Sequence, residues 1–474
     1  MVVDTRGVRR VTIVGGGLAG SEAAWQIAGR GIAVTLFEMR PVRPTAVHKT
    51  DALAELVCSN SFRGDKLDNA VGLLKEEMRR LSSLVMRAAD EARVPAGAAL
   101  AVDRERFSQA VTAAIASHPL ITVRREEVTS IPSPGEGPVI IATGPLTSDA
   151  LSADIAALVG ASHLYFYDAI SPIVLADSID MTKVYRASRW SRSLRGPEHT
   201  KKGDNRHFSQ IKGTACASDT QDGDYLNCPF TRDEYERFYA ALMDAEKAGV
   251  HEFDQPRFFE GCLPIEVMAS RGVDTLRFGP MKPVGLPDPR TGREPYAVVQ
   301  LRQDNIAGDH FSLVGFQTQM KWGAQAEVLR LVPGLEQAEF VRFGMIHRNT
   351  YVNSPTVLRE TWQTRMRDDL LFAGQMSGVE GYVESAASGL MAGRNAAAMA
   401  LGESPAAMPR TTAMGALAYY VSHADPTHYV PSNIAFGLIP PLERRIKSKK
   451  DRNLAISERA LDDLDRWLTA CVST

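Results

Sequence analysis

An α/β fold, in which a nucleotide-binding domain is interrupted by an inserted α+β domain and followed by C-terminal helices, is predicted for this chain of 474 residues. Three observations carry that expectation. A glycine-rich turn, Val11-Thr12-Ile13-Val14-Gly15-Gly16-Gly17-Leu18-Ala19-Gly20, opens the chain. A second glycine-rich segment, from Leu371-Phe372-Ala373-Gly374-Gln375 to Gly378-Val379-Glu380-Gly381-Tyr382, comes more than three hundred residues later. Between them lies a long irregular stretch punctuated by proline and glycine.

The first turn joins a β-branched strand to a helix expected over Ser21 to Arg30. Glycines there let backbone N–H groups close on a pyrophosphate at the helix start, where unpaired amides and the helix dipole favour negative charge. Val34-Thr35-Leu36-Phe37 makes a second strand ending at Glu38, where a ribose-binding acid is expected in a Rossmann-like domain. Gly15, Gly16, Gly17, Leu18, Ala19, Gly20 and Glu38 are therefore the candidate dinucleotide residues. A tight turn without a ligand is the plainer alternative, and the spacing to Glu38 argues against it.

The second segment decides which dinucleotide. Val139-Ile140-Ile141-Ala142-Thr143-Gly144-Pro145 and the distant Leu370 to Gly374 are short apolar runs ending at glycine, as buried parallel strands are. An NAD domain completes its sheet in one continuous stretch, whereas this sheet is discontinuous. Small residues in Glu384-Ser385-Ala386-Ala387-Ser388-Gly389-Leu390-Met391-Ala392-Gly393 allow a helix start close to a large flat cofactor. FAD fits better than NAD, with Gly374, Gln375, Gly378, Gly381 and Tyr382 beside it. The alternative is a close-packed helix pair.

These signals divide the chain into a first part of the FAD-binding domain at 1–150, an inserted substrate domain at 151–340, a second FAD-binding part at 341–400 and a C-terminal helical segment at 401–474. A helical stretch is expected over Asn69 to Arg93, a turn at Gly279-Pro280-Met281-Lys282-Pro283 and a strand at Tyr296 to Leu301. Further helices are expected at Thr411 to Tyr420, Pro441 to Lys450 and Ile456 to Thr469. With 44% apolar and 23% charged residues the composition is that of a soluble globular protein, expected in the cytoplasm. No apolar run approaches the ~18 residues of a membrane span. The polar start, Met1 to Arg10, does not read as a secretory signal.

Five cysteines, Cys58, Cys216, Cys228, Cys262 and Cys471, form an odd set without a C-x-x-C, which argues against both a disulfide frame and a metal site. Cys216, Cys262 and Cys471 read as inert packing. Cys58, in Leu56-Val57-Cys58-Ser59-Asn60-Ser61-Phe62-Arg63, and Cys228, in Tyr225-Leu226-Asn227-Cys228-Pro229-Phe230, lie among polar and turn residues. Turns and helix starts leave a thiol reachable and reactive, so these two are the catalytic candidates, with inert packing as the alternative for each.

The segments Val14 to Ala23, Cys58 to Arg63, Tyr225 to Pro229, Phe259 to Glu266, His347 to Tyr351 and Gly374 to Ser385 together resemble the folate- and FAD-dependent tRNA (uracil-5-)-methyltransferases, within the glucose-inhibited-division A-like flavoproteins. The resemblance runs over almost the whole chain. It implies transfer of the one-carbon unit of 5,10-methylenetetrahydrofolate to C5 of a T-loop uridine in tRNA. Reduced FAD serves as carrier and reductant, recharged by NADPH or NADH.

Uracil C5 becomes nucleophilic only after a nucleophile adds to C6, and the C5 proton must later be removed by a base. The resemblance assigns Cys228 to the first task and Cys58 to the second, and sequence alone leaves the two roles exchangeable. Both sulfurs must then reach one uracil-sized space beside the flavin. The same chemistry on ribosomal RNA, a flavin oxidoreductase for a small molecule and a flavin-binding module without turnover are the alternatives.

A net charge of −2 gives no global attraction for a polyanion, so RNA contacts must be local. One basic cluster runs from Lys183 through Arg186, Arg189, Arg192 and Arg195 to Lys201, Lys202 and Arg206; another comprises Arg444, Arg445, Lys447, Lys449, Lys450 and Arg452. Both also read as solvated faces. Arg186, Arg189 and Arg192 are the candidate phosphate contacts. Tyr351 is the candidate receiver of a flipped base, with a core tyrosine as the alternative. No obligate protein partner is implied.

Overall fold

The computed structural model describes residues 10–45, 47–160, 164–191, 223–248 and 263–472. Arg192, Cys216 and Cys262 lie outside these residues, as do the rest of the first basic cluster beyond Arg189 and the side chain of Cys471.

A five-stranded parallel sheet forms the centre of the first unit, in the order Leu370–Phe372, Val139–Ile141, Arg10–Val14, Ala33–Phe37 and Ile121–Arg124. The two expected strands from distant parts of the chain are immediate neighbours, with Leu370 beside Val139 and Phe372 beside Ile141. Both are fully buried, which is why their sequences are continuously apolar rather than alternating.

Helix Leu18–Ala28 leaves this sheet after the first turn, and helix Tyr382–Leu401 crosses it closely. A Cβ on Gly389 would lie 2.1 Å from the carbonyl oxygen of Ala19, and one on Gly393 would lie 2.7 Å from that of Ala23. These two glycines therefore serve a close-packed helix pair, and only the beginning of the later helix is left for a ligand.

Asn69 to Arg93 is two helices, Ala70–Arg80 and Leu84–Glu91. The break falls at Ser82, at φ +57°, and Ser83, whose hydroxyl accepts from the Met86 amide as an N-cap. Helix Asp149–Val159 places Leu151 and Ile155 in the first core.

The second unit is built on a six-stranded sheet in the order Tyr185–Ala187, Tyr225–Phe230, Ala297–Gln303, His310–Leu313, Ile173–Leu175 and Phe340–Arg342. Its neighbouring strands are antiparallel, and it has a core of its own under helix Arg232–Asp244. An antiparallel ribbon, Leu164–Ala169 with Ile346–Tyr351, connects the two units.

Helices Ala413–His423 and Lys449–Val472 pack back on the first unit. The expected helix over Pro441 to Lys450 is absent before Lys449: the run is predominantly exposed, with no apolar stripe to bury, and the Ser448 hydroxyl accepts from the Asp451 amide to start the helix there.

Candidate active site

A cavity of about 460 Å³ opens between the two units, walled by both glycine-rich segments, by the loop containing Cys58, and by Arg302, Ser312, Gly315 and Gln317 of the second sheet and its following loop. Its chemistry starts at the first turn. Gly15, at φ +109°, donates its N–H to Phe37 O at 2.8 Å, and a Cβ there would meet Ala142 O at 2.4 Å. Gly16 donates to Glu38 Oε2 at 3.1 Å. Gly17 caps the helix with no side chain, and a Cβ on it would meet nothing within 4 Å. The first amides of Leu18–Ala28 thus face open space, as an anion site requires.

The opposite glycine-rich segment has the same character. Helix Tyr382–Leu401 begins at Gly381, φ +105°, again without a side-chain cap. Gly374, Gln375, Gly381, Tyr382 and Ser385 line the cavity. Two uncapped helix starts therefore converge on one space. Such a pair of positive ends fits an elongated dinucleotide, with phosphates at one and an electron-rich ring edge at the other.

Gly20 and Gly378 do not line the cavity. A Cβ on Gly20 would sit 1.8 Å from Gly15 O, and one on Gly378 would sit 2.0 Å from the Tyr429 hydroxyl, which donates to Gly378 O at 2.9 Å. Both are glycine because neighbouring atoms occupy the side-chain position, a demand that a motif cannot separate from ligand contact.

At the far end Glu38 is buried and accepts from Arg40 at 2.9 Å as well as from Gly16. Burial opposes its ionisation, but the Arg40 guanidinium and the amides of Arg40 and Gly16 outweigh that and hold its carboxyl below the usual range. The same arginine donates to Glu55 at 3.1 Å, fixing the segment that leads to Cys58. Burial, aided by Arg40, pushes the His48 imidazole down to about 4, so this wall residue is neutral at pH 7.

Cys58 stands in the cavity wall, half-buried. Its amide donates to the Tyr382 hydroxyl at 2.7 Å, and the Ser59 amide donates to the same oxygen at 3.1 Å. Arg104, Arg302 and Arg342 all interact electrostatically with Cys58. Burial works against all three cations; Asp304, at 3.0 Å, more than restores the charge of Arg104, whereas Arg302 and Arg342 stay below their ordinary range. Arg302 donates to Asn60 Oδ1 at 2.8 Å and Ser59 Oγ at 2.9 Å, so the second sheet grips the cysteine loop directly. Anionic charge at this corner would be met by cations.

From below, Lys75 holds the same loop. Its fully buried ammonium donates to the carbonyls of Phe62, Arg63 and Gly64 at 2.9, 3.2 and 2.7 Å. Burial pushes it down to about 8 despite the neighbouring Asp65. Arg63, at φ +61°, turns back to pair with the buried Glu384 at the start of the second helix. Sequence reasoning missed Lys75, Arg104, Arg302 and Glu384 as site residues. The signals that could have found them are slight: Arg63 belongs to the Cys58 motif, and Arg302 lies one residue past the expected strand.

Cys228 is placed differently from the expectation. Its segment is the middle of a strand, not a turn, and strand alternation divides it. Tyr225 and Asn227 face the first unit's side, Tyr225 donating to Ala96 O at 2.9 Å and Asn227 accepting from Gln300 at 3.0 Å. Leu226, Cys228 and Phe230 point into the second core. The Cys228 sulfur is fully buried, burial pushes its thiol up, and it does not line the cavity. The two sulfurs do not share one space in this arrangement.

The RNA candidates also change. Arg189 is engaged with the carbonyl oxygens of Lys282, at 2.9 Å, and Val284, so it braces a turn. Arg186 lies half-buried on strand Tyr185–Ala187, paired opposite Leu226. Tyr351 is 5% exposed, packs against Tyr429 with ring centres 6.2 Å apart, and is not part of the cavity wall. The core-tyrosine alternative describes it.

Among the described residues no cluster of metal-ligating side chains is present and no helix is long and apolar enough to cross a membrane. The family model described as glucose inhibited division protein A matches residues 10–212 and 195–404. A methylenetetrahydrofolate–tRNA-(uracil-5-)-methyltransferase TrmFO of Anoxybacillus flavithermus is 57% identical over 97% of this chain and 99% of its own length. The protein of that name from Enterococcus faecalis is 55% identical over 96% of this chain and 97% of its own. Among solved structures, GidA of Aquifex aeolicus in its form I crystal superposes with a TM-score of 0.65 at 18% identity, covering 96% of this chain and 76% of that one. That likeness concerns the fold.

Proposed function

We propose, from the premise that the chain belongs to the glucose inhibited division protein A family and within it to the methylenetetrahydrofolate–tRNA-(uracil-5-)-methyltransferases, that it transfers the one-carbon unit of 5,10-methylenetetrahydrofolate to C5 of a T-loop uridine in tRNA, giving 5-methyluridine. The observation that carries this reading is the position of Cys58 in the wall of the cavity that also receives two uncapped helix starts. A cradle suited to a redox dinucleotide and a thiol able to work on a base line one space.

The residues present fit FAD. Gly16 to Ala19 would hold its pyrophosphate, Glu38 its ribose, and Gly374, Gln375, Gly381 and Tyr382 would flank the ring end. When bound, FAD supplies the reducing equivalents that take a methylene to a methyl group, restored by NADPH or NADH. Cys58 is the base that removes the C5 proton of the uridine. Arg104, Arg302 and Arg342 oppose the negative charge that develops on the base when a nucleophile adds at C6. Tyr382 and Lys75 keep the Cys58 loop in place.

The C6 nucleophile is assigned to Cys228 on condition that its strand opens. Opening would have to turn the sulfur out of the second core, which means releasing its strand from the neighbouring strands Tyr185–Ala187 and Ala297–Gln303. RNA containing 5-fluorouridine tests this: a Cys228→Ala protein that keeps its flavin and forms no covalent adduct requires the opened state, whereas a retained adduct moves the role to Cys58.

The activity itself is tested with labelled methylenetetrahydrofolate, NADPH and unmodified tRNA transcripts. Label in 5-methyluridine is expected. A flavin-loaded protein that leaves the transcript unlabelled while oxidising NADPH refutes the reading in favour of a small-molecule oxidoreductase.

A further inference from the structure

Residues 443–452 carry six cations, Arg444, Arg445, Lys447, Lys449, Lys450 and Arg452, against two acids, a net charge of +4 in a chain whose total is −2. All six are exposed, and none forms an ion pair among the described residues. In the first basic run, Arg189 is engaged with the carbonyl oxygens of Lys282 and Val284. Here the charges remain available.

Their placement does not serve helix stability. Lys449, Lys450 and Arg452 occupy the first turn of helix Lys449–Val472, the positive end of its dipole, where cations are unfavourable and acids are preferred. The segment is nevertheless pinned. Arg459 donates to the carbonyl oxygens of Pro440 and Pro441 at 2.6 and 2.9 Å, anchoring the run at its beginning. Asn453 donates to Asp68 O at 3.0 Å and Ser457 to Leu67 O at 2.7 Å, anchoring the end. Leu67 and Asp68 follow strand Ser61–Gly64, whose Arg63 lines the cavity. A fixed cationic strip is thus tied to the loop system that carries Cys58.

We infer that residues 444–452 form the docking strip for the phosphate backbone of the RNA substrate, holding it beside the cavity mouth without reading its sequence. Charge complementarity selects the partner: a polyanion with regularly spaced phosphates uses a row of unpaired cations that an acidic side chain would use singly. The inference rests on the tRNA reading of the site.

The test compares wild type with a variant carrying Arg444→Gln, Arg445→Gln, Lys447→Gln and Lys450→Gln, measuring binding of an unmodified tRNA transcript over a series of salt concentrations. Removing four cations from the phosphate backbone should make the plot of log affinity against log salt shallower by roughly 3 and weaken binding at least about tenfold at low salt. A control, Arg232→Gln on the outer helix of the second unit, should leave the slope alone. If the quadruple variant keeps its flavin and thermal midpoint and shows the wild-type slope and affinity, the strip is not the docking surface. Failure of the methyltransferase reading is seen separately, as a wild-type protein that binds the transcript but leaves it unlabelled.

Discussion

Replacing Tyr382 with phenylalanine removes one oxygen atom and keeps the ring that lines the cavity. That oxygen accepts the amides of Cys58 and Ser59 at 2.7 and 3.1 Å. A donor left unsatisfied out of water costs about 1–3 kcal/mol, so two such donors cost about 2–6 kcal/mol if they stay in place. The loop relaxes instead, toward water in the cavity or other acceptors, and the thiol moves with it. A misplacement on the order of 1 Å at a reacting group costs on the order of 100-fold in rate. Release of tritium from C5-labelled uridine in a tRNA transcript should therefore fall about 10- to 100-fold in Tyr382→Phe, with bound flavin retained because the apolar ring is unchanged. Burial also pushes the Tyr382 hydroxyl up, so it stays protonated and the defect should not diminish between about pH 6 and about pH 9. Wild-type tritium release from the flavin-loaded variant would refute the claim that Tyr382 positions Cys58.

Three further outcomes follow from packing and charge. Cys228→Ser should be less stable than Cys228→Ala, by about 1–2 kcal/mol in chemical denaturation, because a hydroxyl in the second core meets no water. Gly389→Ala should lower both the thermal midpoint and the flavin content, since the new Cβ would stand 2.1 Å from Ala19 O and the helix start beside the cavity must move; overpacking of this kind costs about 1–3 kcal/mol. Burial holds the Glu77 carboxyl up at about 8 against an ordinary 4.5, while it accepts the Ala413 and Met414 amides at 2.7 and 2.9 Å. With the folded-state value raised, the stabilisation from the protonated acid is complete below the ordinary value and is lost as pH rises through about 8. Glu77→Gln cannot ionise, so its stability relative to wild type should rise by about 2–3 kcal/mol between about pH 6 and about pH 9, read from denaturation midpoints.

The discontinuous sheet was legible because burial on both faces leaves a mark in the residues themselves. Val139–Ile141 and Leu370–Phe372 are apolar throughout, and each ends at a turn. The first turn was legible for a similar reason, as only glycine tolerates the crowding at Gly15 and Gly20. The same steric demand hides purpose: Gly378 is filled by Tyr429 and Gly393 by Ala23, and neither touches a cofactor space.

Asparagine and proline beside Cys228 suggest a turn, and the structure corrects that. Its strand alternates, and Asn227 is satisfied by Tyr185 O and Ala187 O across the sheet. The cations around Cys58 were not foreseeable from spacing. Arg104, Arg302 and Arg342 come from three separate parts of the chain and meet only when the second sheet docks.

The pairing of Leu370–Phe372 with Val139–Ile141 has a consequence for synthesis. Until the ribosome has delivered the region around residue 385, the nascent protein carries an open hydrophobic sheet edge and half a cofactor cradle. Flavin capture therefore waits until both halves of the cradle have been made. A product stopped before that point would be colourless and adhesive, a natural client for chaperones and proteases, whereas a yellow product would report that synthesis had passed the second glycine-rich segment.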